Sequence, residues 1–155
     1  MWKGQVVAVH IHEERRAAAF EIEEARLVPG KGIEGDTHFR RAEADPGHAN
    51  PKCEVTLIES EALEALERDY DVALTAAESR RNVLTEGVPL NHLVGREFRV
   101  GETVLRGAEL CEPCGYLESM TAPGVREGLL HRGGLRARIV TGGTVRAGDS
   151  IEPQD

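Results

Sequence analysis

No uninterrupted apolar run in these 155 residues exceeds a few positions. Stretches such as Val6-Val7-Ala8-Val9 fall far short of the ~20 residues of a membrane-spanning helix. The opening Met1-Trp2-Lys3-Gly4-Gln5 lacks the apolar region and cleavage site of a secretory leader, so a cytoplasmic location is expected. Cysteine is scarce. Cys53, Cys111 and Cys114 are odd in number and too few for a disulfide scaffold, and a reducing cytosol keeps them as thiols open to chemistry. Positive charge is also in deficit: 19 Lys and Arg against 27 Asp and Glu leave a net charge of −8. That balance argues against nucleic acid or an anionic membrane as partner, since both recruit a positive field. Low-complexity tracts, internal repeats and linkers are missing, which predicts one domain over residues 1–155.

What is present is an ordinary globular mixture, 40% hydrophobic and 30% charged, sufficient for a sizeable core. Charge is unevenly placed. Between Ser119 and Gly148, Arg126, Arg132, Arg136, Arg138 and Arg146 face one acid, Glu127. Such a segment is either a solvated strand face or a pocket for a small anion, whose oxygens the guanidinium fork matches in pairs.

Short β-branched runs at 4–12, 17–28, 54–59, 97–100, 103–110, 134–140 and 144–151 read as strands bounded by glycine turns. A turn is expected at 13–16. The glycine-rich 29–36 break leads into Thr37–Lys52, whose polar, proline-containing character predicts a long loop at the rim of a site. Ser60 is placed to cap a helix over Glu61–Tyr70, and Thr75 with Glu78 forms a capping-box signature ahead of Arg80, Arg81 and Asn82. Without an evident β-α-β alternation, these elements predict a mainly β fold, a closed or partly closed β-barrel with a few short helices.

Cys111-Glu112-Pro113-Cys114 follows the strand ending near Leu110. Proline suits the first position of a short helix, which places Cys114 in its first turn, where unpaired amides favour a thiolate and Glu112 and Glu118 oppose it. Four readings stand together. One is a structural zinc site completed by Cys53 and a histidine. Another is a thioredoxin-like redox pair, a third an inert buried pair, and the fourth a single functional thiol, for which Cys114 is the better placed. His10 and His12 share a strand face and read as solvent-facing rather than as ligands.

In order along the chain, Gly32-Ile33-Glu34-Gly35-Asp36-Thr37-His38, Val55-Thr56-Leu57-Ile58, Arg80-Arg81-Asn82-Val83, Gly95-Arg96-Glu97-Phe98-Arg99-Val100-Gly101, Glu112-Pro113-Cys114 and 142–149 resemble the MOSC domain family. That family is named after the C-terminal part of molybdenum cofactor sulfurase. The resemblance implies a barrel like that of pyruvate kinase, with Cys114 as the catalytic thiolate and the ligand of molybdenum in a pterin cofactor (molybdopterin). One soft sulfur ligand tunes a metal while leaving positions open for oxygen-atom transfer. Arg80, Arg81, Arg136 and Arg138, with Arg132 also available, would then meet the anionic cofactor. Asn82 would orient it, and Gly35, Asp36 and His38 of the signature loop would also bind the cofactor, or else fix that loop's turn.

Three functions follow as expectations. The first is a molybdenum-cofactor-dependent oxidoreductase that reduces N-hydroxylated compounds, fed by a separate electron-donor reductase because the additional domains of many relatives are missing. The second is a sulfur carrier whose Cys114 persulfide is loaded by a cysteine desulfurase. The third is a non-catalytic anion-binding barrel. Cys111 would either resolve such a persulfide or serve as a small apolar residue.

Overall fold

The computed structural model describes residues 1–154, with His48 described in its backbone only. Eleven strands and five short helices are found among them. Seven strands close into a barrel. The order runs β11 (Ser150–Pro153), β7 (Glu97–Val100), β8 (Thr103–Leu110), β9 (Leu135–Thr141), β5 (Val55–Glu59), β6 (Val83–Glu86), β1 (Gly4–Ile11). β1 returns to β11 through Gly4↔Ile151 and Gln5↔Ser150, so neither is left as an edge. β2 (Phe20–Ile22) adds to the outside of β1, while β10 (Gly143–Arg146), β3 (Glu24–Val28) and β4 (Gly32–Ile33) make a separate three-stranded sheet.

The alternation of strand side chains divides the barrel wall into two faces. On β9, Leu135, Ala137 and Ile139 point into the core, leaving Arg136 and Arg138 on the outer face. Leu57, Phe98, Leu105 and Ile151 are fully buried beside them, each contributing roughly 1.5–3 kcal/mol by leaving water. A second, smaller apolar cluster lies outside the barrel. Leu66 of α2 (Ser60–Tyr70), Leu117 of α4 (Gly115–Met120), Val125 of α5 (Val125–Gly128) and Leu129 meet there. This satellite core fixes α4, and with it the residue that precedes α4, Cys114.

Several expectations change, and the single strands expected at 17–28 and 144–151 each divide into two that belong to different sheets, β2 and β3, and β10 and β11. Thr37–Ala44 is a helix (α1), and Pro46–His48 and Pro51–Cys53 are 3₁₀ turns, so the expected long loop is mostly structured. Phe39 and Ala42, three residues apart, give α1 enough of a buried face to outweigh its polar composition. β5 and β6 pair in parallel, joined through α2 and α3 (Ala76–Ser79), so one β-α-β crossover interrupts an otherwise antiparallel barrel. The expected cap Ser60 is the first helical residue, with Glu59 at the cap position and no side-chain capping bond. The capping box at α3 is present: Thr75 Oγ1 accepts from Glu78 N–H at 3.1 Å, and Glu78 accepts from Thr75 N–H at 3.0 Å.

Asn82 holds three strands together. Its Nδ2 donates to His10 O at 3.1 Å, and its Oδ1 accepts from Thr56 N–H at 3.0 Å and Thr56 Oγ1 at 3.1 Å. The residue is buried, so every polar atom of the amide needs a partner. Asn82→Ala is expected to cost about 2–3 kcal/mol of unfolding free energy, read as a lower urea midpoint with an unchanged slope. A stability equal to the parent would mean that the amide does not tie the strands.

Candidate functional site

Cys114 is an exposed free thiol at the N-cap of α4, and its side chain makes no capping bond. Pro113, expected inside the helix, lies one residue before this cap, and it is buried. The loop from Cys111 to Cys114 is pinned to the barrel by Arg81. That guanidinium donates to Gly133 O at 2.8 Å, Ser79 O at 3.2 Å and Cys111 O at 3.4 Å. Gly133 packs so tightly under the loop that an added Cβ would strike the Cys111 carbonyl and Pro113.

Both carboxylates that oppose a thiolate in the sequence are committed elsewhere. Glu112 accepts from His131 N–H at 2.8 Å and pairs with His131 Nδ1 at 2.9 Å. Glu118 accepts from Gly124 N–H at 2.9 Å and Arg126 N–H at 3.4 Å, closing the turn ahead of α5. Two cations lie beside the first two residues of α4. A Cβ on Gly115 would lie 3.9 Å from an Arg126 guanidinium nitrogen, and the Arg16 guanidinium sits 5.3 Å from the Tyr116 ring centroid. Among the described residues neither guanidinium pairs with a carboxylate.

The other expected cofactor contacts are frame residues or lie apart from the thiol. Arg80, in the left-handed conformation at the C-cap of α3, donates to Ala17 O at 2.7 Å and Arg15 O at 2.6 Å. It also lines a cavity of about 210 Å³ with Ala18, Ala77 and Met120, at the far end of α4 from Cys114. Asp36 is buried, and its Oδ1 accepts from His12 N–H at 3.0 Å. The His38 ring reaches Lys31 O at 2.9 Å and Asn50 O at 3.0 Å, and Gly35 is in the left-handed region against Ile11, so all three shape the signature loop. Arg138 is exposed on β9 opposite Arg106.

Arg136 goes to a place the sequence reading missed. Its Nη1 donates to Cys53 Sγ at 3.2 Å, and its Nε lies 3.8 Å from Glu109 Oε1. Burial by itself would lower the Arg136 pKa, but the Cys111 and Cys53 sulfurs beside it outweigh burial and hold it above the ordinary value. No local pattern in the sequence brings residues 53, 111 and 136 together; only the β5-β9-β8 pairing does.

His10 and His12, expected to face solvent, are covered. His10 is 5% exposed, and a ring nitrogen of each is buried without a hydrogen-bond partner. Burial lowers both pKa values below 6.5. Glu21 and the Asn82 backbone oppose this at His10; at His12, Asp36 opposes it and Arg80 reinforces it. Among the described residues no three His, Cys, Asp or Glu side chains converge as metal ligands, which leaves the zinc reading without a donor set. No helix is long and apolar enough to cross a membrane. A hollow of about 700 Å³ opens at one end of the barrel beside Trp2, Pro89, His92 and Arg96. Between it and the Cys114 loop runs the 3₁₀ turn Leu90–Leu93, whose Asn91 donates to His131 O at 2.6 Å.

The MOSC domain model matches residues 44–152, which run from the end of α1 into β11 and include Cys114 and six of the seven barrel strands, all but β1. The chain belongs to the MOSC domain family. MOSC domains are associated with the molybdenum cofactor. YuaD of Bacillus subtilis has the same fold, with a TM-score of 0.80 at 20% identity over 98% of this chain and 97% of that one. YiiM of Geobacillus stearothermophilus follows at 0.74 and 13%, over 98% and 75% of the two chains. YiiM of Escherichia coli reaches 0.67 and 18%, over 100% and 70%. No curated protein sequence matches the chain.

Two outcomes are expected of this MOSC protein. Because folding holds His10 and His12 neutral, the unfolded chain binds more protons as pH falls below 6.5. Stability is therefore complete above that value and declines as pH drops toward the folded-state pKa values. Urea midpoints at about pH 8 and about pH 5.5 should show the decline, and His10→Gln with His12→Gln should flatten it. Separately, Gly133→Ala should displace the Cys111–Cys114 loop and change the alkylation rate of Cys114, while Gly47→Ala, whose added Cβ would make only an ordinary contact with Asp45 Oδ1 at 3.7 Å, should leave that rate unchanged.

Proposed function

We propose that this MOSC protein holds molybdopterin through the Cys114 thiolate and reduces N-hydroxylated compounds with electrons from a separate reductase. The observation that carries this reading is an exposed sulfur without a protein partner, on a loop fixed by Arg81 from one side and by the Glu112–His131 pair from the other. The donor set fits such a group in part. Cys114 would be the single protein sulfur on the metal, and Arg16 and Arg126 carry the charge an anionic pterin needs. Arg80, Arg81 and Asn82 have donors committed to backbone carbonyls, so they hold the frame.

When bound, the cofactor supplies a two-electron centre able to accept oxygen. The chain's own share is positional. Arg81 fixes the height of the Cys111 carbonyl, Leu117 and the satellite core fix the axis of α4, and Glu118 closes the following turn. Preorganisation of this kind keeps a ligand sulfur where the metal requires it.

Elemental analysis of protein made in a molybdenum-replete host tests the reading. Stoichiometric molybdenum is expected, lost in Cys114→Ser and retained in Cys111→Ser, with the barrel folded in both. Arg126→Ala should weaken retention by about 1.5–3 kcal/mol, the worth of a charge-assisted hydrogen bond. Protein free of metal that carries a sulfane sulfur on Cys114 would instead identify a sulfur carrier served by a desulfurase. Protein with neither would leave a non-catalytic anion-binding barrel.

A further inference from the structure

The proposed function leaves the slot at the far end of α4 without a role. It holds about 210 Å³ and is walled by Ala18 and Ala19 of the strap before β2, by Ala77 of α3 and by Met120 of α4. Every polar side chain on its lining already has a protein partner. Glu78 closes the capping box with Thr75, Arg80 donates to Arg15 O and Ala17 O, and Thr121 Oγ1 donates to Leu117 O at 2.6 Å. A solute entering the slot meets methyl and thioether surface, which suits a hydrocarbon body and disfavours a heterocyclic base whose ring nitrogens would go unpaired. Glu78 and Arg80, the two charges on the lining, are of opposite sign, so the occupant is neutral. Volume sets its size. An apolar cavity of about 150 Å³ takes up benzene, so a space of about 210 Å³ accommodates one six-membered ring and the first carbons attached to it.

The slot ends a groove that leads back toward the thiol. Met120 and Tyr116 lie one turn apart on a shared face of α4, and both are exposed. The strap runs alongside that face: the Arg16 guanidinium covers the Tyr116 ring at 5.3 Å, and Ala18 and Ala19 share the slot with Met120. At 1.5 Å per residue, Met120 lies about 9 Å along the helix from Cys114, a distance that a ring on a two-carbon arm largely spans. We propose that this slot receives the neutral hydrocarbon ring of the substrate, selecting N-hydroxylated compounds in which one such ring stands on a short arm from the nitrogen. The N-hydroxylated end rests on the function proposed above, whereas the ring site rests on the slot itself. Ala18 and Met120 set the width of the slot, and Arg80 is a positioning residue that holds the strap wall through its two backbone bonds.

The test uses the two methionines of the chain as reporters. Met120 lines this slot and Met1 lines the larger hollow at the barrel end, so the methyl signals of protein labelled with ¹³C-methionine read the two spaces separately. Titration of the full chain, as isolated, with N-(2-phenylethyl)hydroxylamine should move the Met120 methyl signal saturably through the ring current and leave Met1 in place. N-methylhydroxylamine, which lacks the ring, should move neither. Ala18→Leu fills the slot from an exposed position of the strap and should weaken binding about tenfold, with the rest of the spectrum that of the parent. An unmoved Met120 methyl, a shift at Met1 in its place, or undiminished binding in Ala18→Leu would overturn the proposal. The shift needs no metal, so protein that shows it without holding molybdenum would remove the proposed function and leave the ring site standing.

Discussion

The three hydrogen bonds of Arg81 join the start of one strand to the loop that follows another. The guanidinium satisfies carbonyls of Ser79, Cys111 and Gly133 at once, and these belong to segments far apart in sequence. A lysine could carry the charge there but not the planar fork, so the geometry of the loop depends on the identity of that residue. Removing it would leave three carbonyls in search of donors and free the loop that presents Cys114.

Around this anchor the molecule separates two tasks. The barrel core of Leu57, Phe98, Leu105 and Leu135 provides a stiff wall, and the satellite cluster of Leu66, Leu117, Val125 and Leu129 seats the helices against its outside. The thiol lies on the cap of a six-residue helix, too short to be stable alone, so its placement comes from Leu117 packing rather than from helix propensity. Polar groups divide along the same line. Glu54 is buried and receives the Gly30 and Ile139 amides, which sews the small sheet's turn to the barrel, while Arg16 and Arg126 remain available to solvent.

Much of this architecture was legible in the amino-acid order because its signals are local. Alternation marked the strands, Thr75 and Glu78 marked the start of α3, and the proline and glycines after Leu110 marked the break that presents Cys114. What could not be read depends on partners distant in the chain. The helix at Thr37–Ala44 is polar except where Phe39 and Ala42 find a surface to cover. The parallel pairing of β5 with β6 is hidden because two short helices with weak patterns bridge it. Arginines 80 and 81 look like anion ligands by type, and only the fold shows their donors turned to backbone. His10 and His12 read as solvated because the pattern reports one face of a strand and not what later covers the other.

The return of β1 to β11 has a consequence for how the protein is made. The first strand of the chain lies beside the last, and the contact spans nearly the whole sequence. Until β11 has been made, the Gly4–Gln5 end of β1 lacks its partner on that side, while β2 already covers Val9–Ile11. Ring closure is a late and entropically costly step of synthesis, the kind of long-range event that slows maturation and invites chaperone attention.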